Sequence, residues 1–239
     1  MEGNITPVAE FNTYADAVAT ARVFALTSPN PSSTMPPLPL KLSTLNPYPR
    51  QLSRPLKPTL FPLDVTTPHT LQRSQVSAKL DPLIRDGSPL AEWTSAFVHK
   101  TLDKMESLTR KQADPGLELH DPLTIWYMLT RSAPSWMLAP KAPEDIRIET
   151  AGQWTRGMHI IDRRNRKKGG VSQQVKSPGA VDISDPMDSL TIATAYDDDD
   201  APGDNGGWLS LVKGNRINRI ISSPGEAVFG KYLLERVFG

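Results

Sequence analysis

At 239 residues, with 38% hydrophobic and 22% charged side chains, the chain has globular rather than disordered composition and enough length for one sizeable domain. The 27 Lys and Arg nearly cancel the 26 Asp and Glu, for a net charge of +1, so there is no overall field to hold nucleic acid or an anionic membrane. The absence of cysteine excludes disulfides, thiolate zinc sites and a cysteine nucleophile, leaving oxygen and imidazole as metal ligands, a set suited to calcium or magnesium.

No apolar run approaches the ~18 residues that span a bilayer, and residues 1 to 26 lack a basic stretch followed by an unbroken apolar one. A soluble, cytoplasmic protein is the expectation. Proline is in excess, 23 residues or about twice the ordinary ~5%, and must interrupt regular structure.

In chain order, the opening MEGNITPVAEFN fits neither a helix period nor a strand and predicts an ordered loop. Residues 16 to 26 place Val18, Ala21, Ala25 and Ala19, Val23, Leu26 on neighbouring stripes behind Asp16, which complements a helix dipole. Nine prolines between Ser28 and Pro58 predict a surface insertion with polyproline character. Residues 60 to 65 (LFPLDV) suit a short buried strand, Thr67-Pro68 opens a helix over 70–80, and Ser88-Pro89 starts another to about Arg110. That helix carries an apolar stripe of Leu90, Trp93, Phe97, Leu102, Met105 and Leu108.

Asp121-Pro122 begins a further helix that ends before Pro134. Beyond it the period drops to two, with strands expected around Ile146 to Ile148 and Met158 to Ile160, a possible third at 192–195, and another at 216–221. Residues 167 to 207 are loop-rich, and 224–238 form an amphipathic closing helix. Helices alternating with short apolar strands place the chain in the α/β class.

Four segments could carry chemistry. Asn4, Glu10 and Asn12, within nine residues, offer two carboxamides and a carboxylate, partners for the hydroxyls of a sugar, although turn-forming residues at a surface are the plainer account. In His120-Asp121-Pro122 the Asp is first of all an N-cap with Pro at the first helical position; held rigidly there, it can also ligate a hard cation while the neighbouring His exchanges a proton. Asp197 to Asp200 read as a solvated acidic loop, not a calcium site, and the basic run Arg163, Arg164, Arg166, Lys167, Lys168 as a surface hairpin or loop. His69, His99 and His159 have no partners at ligand spacing and are structural. No GxGxxG, P-loop or GxSxG pattern occurs.

Taken in order, the segments GNITPVAEFN, LFPLDVT, HDPLTIWYM and IETAGQWTRGMHIIDRRN resemble the C-terminal part of the inosine/uridine-preferring nucleoside hydrolases, with the fungal uridine ribohydrolase-like members most similar. The resemblance implies one Rossmann-type layered α/β domain over residues 1–239, incomplete at its N-terminus, with insertions at 28–58 and 167–207. It implies that Asn4, Glu10 and Asn12 hold ribose hydroxyls with Phe11 beside the sugar. His120 then assists departure of the base, and Asp121 coordinates Ca2+ and a ribose hydroxyl. The implied reaction is hydrolysis of the N-glycosidic bond of uridine- or inosine-type ribonucleosides to ribose and base, a step of nucleoside catabolism and salvage, through an oxocarbenium-like state with calcium acidifying the attacking water.

The family's amino-terminal DxDxGxDD cluster, source of its general base and most calcium carboxylates, has no counterpart here, so poor activity of the chain alone is expected. The competing expectation is a non-catalytic ribose- or nucleoside-binding fragment, or a regulatory partner of a full-length homologue. Relatives of this kind are often homo-oligomers, and neither nucleic acid nor membrane is expected as a partner; RNA binding through residues 163 to 168 is the least favoured reading.

Overall fold

The computed structural model describes residues 1–37, 54–108, 116–164, 204 and 206–239. Its elements are α1 (Phe11–Ala15), α2 (Ala17–Ala25), a 3-10 turn (Pro31–Ser33), β1 (Thr59–Leu60), α3 (Leu63–Thr66), β2 (Thr70–Gln72), α4 (Arg73–Arg85), α5 (Pro89–Leu108), β3 (Gly116–Glu118), α6 (His120–Thr130), β4 (Met137–Leu138), β5 (Ile146–Ile148), β6 (His159–Ile161), β7 (Asn218–Ser222) and α7 (Glu226–Phe238). The mixture of helices and short sheets is of the α/β class expected. The described residues form two compact units, one of residues 1–10, 59–143 and 218–239, the other of residues 11–58 and 144–217. The expected strand at 192–195, the acidic run Asp197 to Asp200 and most of the two insertions lie outside the described residues.

In the first unit β7 pairs with β1 in parallel and with β4 antiparallel, while β2 and β3 form a separate antiparallel pair, Thr70 opposite Glu118. The core collects Val65, Leu71, Val76, Leu80, Ala91, Val98, Leu102, Leu119, Leu123, Trp126, Ile220, Phe229 and Leu234. Trp126 of α6 stacks on Phe229 of α7 with ring centroids 4.6 Å apart, and burying side chains of this size contributes about 1.5–3 kcal/mol each.

The sequence expectations need correcting at several places in this unit. Residues 60–65 are not one strand: β1 stops at Leu60 and α3 begins at Leu63, because Pro62 lacks the N–H a continued ladder would need and is pre-set to enter a helix. The helix expected from Thr70 starts only at Arg73, after β2 has paired with β3, and Gln72 and Gln75 close its first turn as a capping box. The opening of α5 at Pro89 is as expected, Ser88 Oγ accepting the Ala91 N–H at 3.4 Å. Its inward face, however, is Ala91, Val98 and Leu102, while Leu90, Trp93 and Phe97 are exposed. Ala91 is fully buried although its small side chain carries little hydrophobic weight.

In the second unit α2 is capped by Asp16, whose Oδ1 accepts the Ala19 N–H at 2.9 Å, and the two strands expected near Ile146 and Ile160 are present and pair as a hairpin, Ile146 with Ile161 and Ile148 with His159. Ile146 and Ile148 are buried on either side of half-buried Arg147, the period-two pattern of a strand with one covered face. Arg147 bonds the buried Asp145 at 2.8 Å and the Gly206 carbonyl at 2.6 Å and lies over the Trp208 ring. The opening loop ends sooner than expected, since α1 already begins at Phe11.

Candidate functional site

The first unit holds Asn4, Glu10, His120 and Asp121, four of the six residues singled out from the sequence. The N–H groups of Asn4, Ile5 and Thr6 converge on the Ala9 carbonyl at 3.2, 3.3 and 3.4 Å, and Thr6 Oγ1 accepts the Ala9 N–H at 3.0 Å. The turn is tight enough that a Cβ at Gly3 would overlap the backbone of Thr6 and Ala9, which is why a glycine stands there. Asn4 is exposed and Glu10 half-buried. The segment is tied to α3, the Glu2 N–H donating to Asp64 Oδ1 at 3.1 Å.

His120 and Asp121 occupy the first turn of α6. The N-cap is Leu119, not Asp121 as the sequence suggested. Asp121 is instead an exposed carboxylate inside the first turn, where it still faces the positive end of the helix dipole. Pro122 one residue further in costs nothing, since the first four N–H groups of a helix have no intrahelical partner.

Both ring nitrogens of His120 are engaged. Nδ1 lies 2.7 Å from Thr66 Oγ1 and Nε2 2.8 Å from Glu118 Oε2. Thr66 is 3% exposed, whereas the His120 side chain keeps 31% and Glu118 43% of their surface. The imidazole is therefore fixed from the protein side by a buried hydroxyl and open on the side of the carboxylate. The backbone reinforces this: the His69 N–H donates to the Thr66 carbonyl at 3.0 Å and the Leu119 N–H to the His69 carbonyl at 2.8 Å. One four-residue helix, α3, thus anchors the opening segment through Asp64 and the histidine through Thr66.

The structure places Phe11 and Asn12 at the start of α1, in the second unit, both exposed. Sequence reasoning missed Thr66 and Glu118. LFPLDVT was among the informative segments, but read as a strand its threonine had no reason to meet a histidine 54 positions on. Glu118 stands two residues before His120 at the end of β3, a spacing that carries no signal until the pairing of β2 with β3 is known. The other histidines have structural surroundings: His69 is buried, His99 lies against Arg73 and Ser77, and His159 meets the Phe24 ring edge-on. Arg164 of the basic run pairs with Asp162 at 2.8 Å, and residues 166–168 lie outside the described part.

A histidine at a helix start between a hydroxyl and a carboxylate offers groups able to exchange a proton. The model of the inosine-uridine preferring nucleoside hydrolase family matches residues 1–199, and the chain belongs to that family. Membership implies a hydrolase acting on N-glycosyl bonds. No match was found among curated proteins. Among the described residues no helix is long and apolar enough to cross a membrane.

Family members generally bind a metal, often Ca2+. Among the described residues, no group of three or more His, Asp or Glu side chains could share an ion. Asp121 offers one exposed carboxylate, the Asp64 carboxylate accepts the Glu2 N–H, and the Thr66 carbonyl accepts the His69 N–H. Calcium takes 6 to 8 oxygens, so the described donors do not fit the ion as a set.

Proposed function

We propose that the chain is a nucleoside N-ribohydrolase that releases ribose and free base from uridine- or inosine-type ribonucleosides. The observation that carries this reading is His120, held at both ring nitrogens yet partly open to solvent, in the first turn of α6.

Cleavage of an N-glycosidic bond leaves an electron pair on a base nitrogen and positive charge on the sugar, and the departing nitrogen needs a proton. The protonated form of His120 supplies it, becomes the neutral ring, and is reprotonated from solvent, to which it is open. Such a general acid contributes roughly 10²–10⁴ in rate. A water oxygen bonds to C1′ as the bond to the base breaks, and releases its second proton to solvent. Asn4, Glu10 and Asp121 are assigned to the ribose hydroxyls by the chemistry of carboxamide and carboxylate partners. Phe11 and Asn12, next in the chain after Glu10, are assigned to the sugar on the same sequence segment.

The test is release of reducing sugar from uridine and inosine by the purified chain, with calcium and with chelator. Ribose formation that is lost in H120A supports the proposal; wild-type protein that releases none in either condition overturns it. A second reading, nucleoside binding without turnover, draws on the donor set just described, which supplies one exposed carboxylate beside the histidine. Calorimetric binding of uridine or inosine with no ribose released would select that reading.

A further inference from the structure

We propose that the second unit carries a binding site for a small planar heterocycle with an amide or imide edge, the chemistry of a free pyrimidine base. The site is a cavity of about 270 Å³ whose lining comes entirely from that unit. The proposal rests on this cavity alone. Its test reads binding and not turnover, so it stands or falls separately from the nucleosidase reading.

The apolar lining is Ala21 of α2, Ile148 of β5 and the run Met35, Pro36, Pro37. Against it stands Asn215, 1% exposed, whose carboxamide is oriented by its neighbours. The Ile146 carbonyl can only accept, so the Asn215 nitrogen faces it at 2.6 Å, and the Thr34 hydroxyl donates to the Asn215 oxygen at 2.6 Å. A carboxamide nitrogen carries two hydrogens, and the second has no acceptor among the described residues. Thr34 Oγ1, having given its hydrogen to Asn215, keeps lone pairs to accept with. The half-buried Thr150 hydroxyl has no hydrogen-bond partner among the described residues. A donor, an acceptor and a hydroxyl that can do either therefore line one small space.

Charge excludes ions from it. Arg147, the one cation in the lining, is neutralised by Asp145 Oδ2, which accepts from its Nε and Nη2 at 3.2 and 2.8 Å. The same carboxylate accepts the Asn215 backbone N–H at 2.8 Å. An anion would find no unpaired positive charge here, and a cation no unpaired carboxylate. A sugar carries hydroxyls around its whole ring, and those set against Ala21, Ile148 and the prolines would lose water without gaining a partner. A purely apolar ligand would leave the Asn215 N–H and the Thr150 hydroxyl unpaired in the same way. What fits is a flat ring with apolar faces and one edge of C=O and N–H groups. The volume lies below the ~300–1,000 Å³ of pockets for drug-sized ligands, which suits a single ring.

The experiment is an NMR titration of the full chain, followed at backbone amides and side-chain NH2 groups, with uracil, 1,3-dimethyluracil, ribose and inorganic phosphate. Uracil is expected to shift the Asn215 NH2 and Thr150 amide signals saturably, and equally in wild type and H120A, which separates this cavity from the histidine of the first unit. The dimethyl compound keeps the ring and both carbonyls but has no N–H to donate. T150V keeps the shape of threonine without its hydroxyl. Each change should weaken binding about five- to tenfold, the worth of one hydrogen bond, while ribose and phosphate leave both signals unmoved. Absence of a saturable shift at Asn215 and Thr150, its loss in H120A, an equal response to ribose or phosphate, or equal affinity for uracil and its dimethyl form overturns the proposal. The ligand comparison needs no substitution in the cavity, so it decides the matter whether or not T150V folds.

Discussion

Two histidines in the first unit show how neighbours decide what one side chain does. His120 is partly exposed and bonded through both nitrogens to groups that can exchange protons or direct them. His69 is 1% exposed, its Nε2 meeting Ser223 Oγ at 2.8 Å while Nδ1 has no hydrogen-bond partner among the described residues. It stands edge-on to Trp126 and Phe229, ring centroids 5.8 and 6.1 Å away. Burial among aromatic rings pushes its pKa below the usual 6.5, against the smaller upward pull of Glu226, so the ring is kept neutral. One imidazole is held at both nitrogens and partly open to solvent, and the other is a wedge of the core. The wedge still serves the site, because the backbone of His69 bonds both Thr66 and Leu119.

The largest effect that tests this contrast is on turnover. H120A is expected to lower kcat by roughly 10²–10⁴, the worth of a general acid, while leaving the denaturant midpoint nearly unmoved, since the side chain is partly exposed. A large loss of stability in H120A would break the contrast by making His120 a core residue too. H69A should do the reverse. Removing a fully buried ring leaves a cavity beside Trp126 and Phe229, at a cost of about 2–4 kcal/mol by analogy with other buried large-to-small changes, read as a lower urea midpoint at constant slope.

A finer test is T66V. Valine matches threonine in shape but not in hydrogen bonding, so His120 Nδ1 loses its partner without a cavity opening. Loss of one such bond is worth about 1 kcal/mol, and kcat is expected to fall several-fold with ribose affinity unchanged. If T66V behaves as wild type in kcat while E118A does not, the ring is oriented from the carboxylate side alone.

How far this could be read from the sequence follows from the range of each signal. The helix at 17–25, the hairpin of β5 and β6 and the start of α5 rest on local patterns, a cap, alternation and a Ser-Pro pair, and all three appear. The His-Asp pair at the start of α6 was visible for the same reason. Thr66 was not, because α3 is four residues long, too short to display a helical period. Glu118 was not, because what fixes it is a pairing between residues 48 positions apart, Thr70 with Glu118. The exposed face of α5 was misassigned because its buried face uses Ala91, a residue with little hydrophobic weight. Order along the chain singled out His120; only the fold revealed Thr66 and Glu118 at its two ring nitrogens.

The smallest effect separates the two histidines by pH. With its folded pKa below the unfolded value of 6.5, His69 binds a proton more readily in the unfolded chain than in the folded one. Stability from this group is therefore fully present above pH 6.5, declines as pH falls below it, and levels off only below the folded pKa. The slope from one such group is at most about 1.4 kcal/mol per pH unit. H69Q, which keeps a polar side chain of similar length but does not titrate, should show a flatter stability profile between pH 6.5 and 5 than wild type, measured by urea unfolding at each pH. Because Glu226 opposes the burial effect, E226Q is expected to steepen the wild-type decline, as the folded pKa drops further. Parallel profiles for wild type and H69Q would mean that the ring is hydrated in solution, and the distinction between a wedge and a working imidazole would have to be drawn elsewhere.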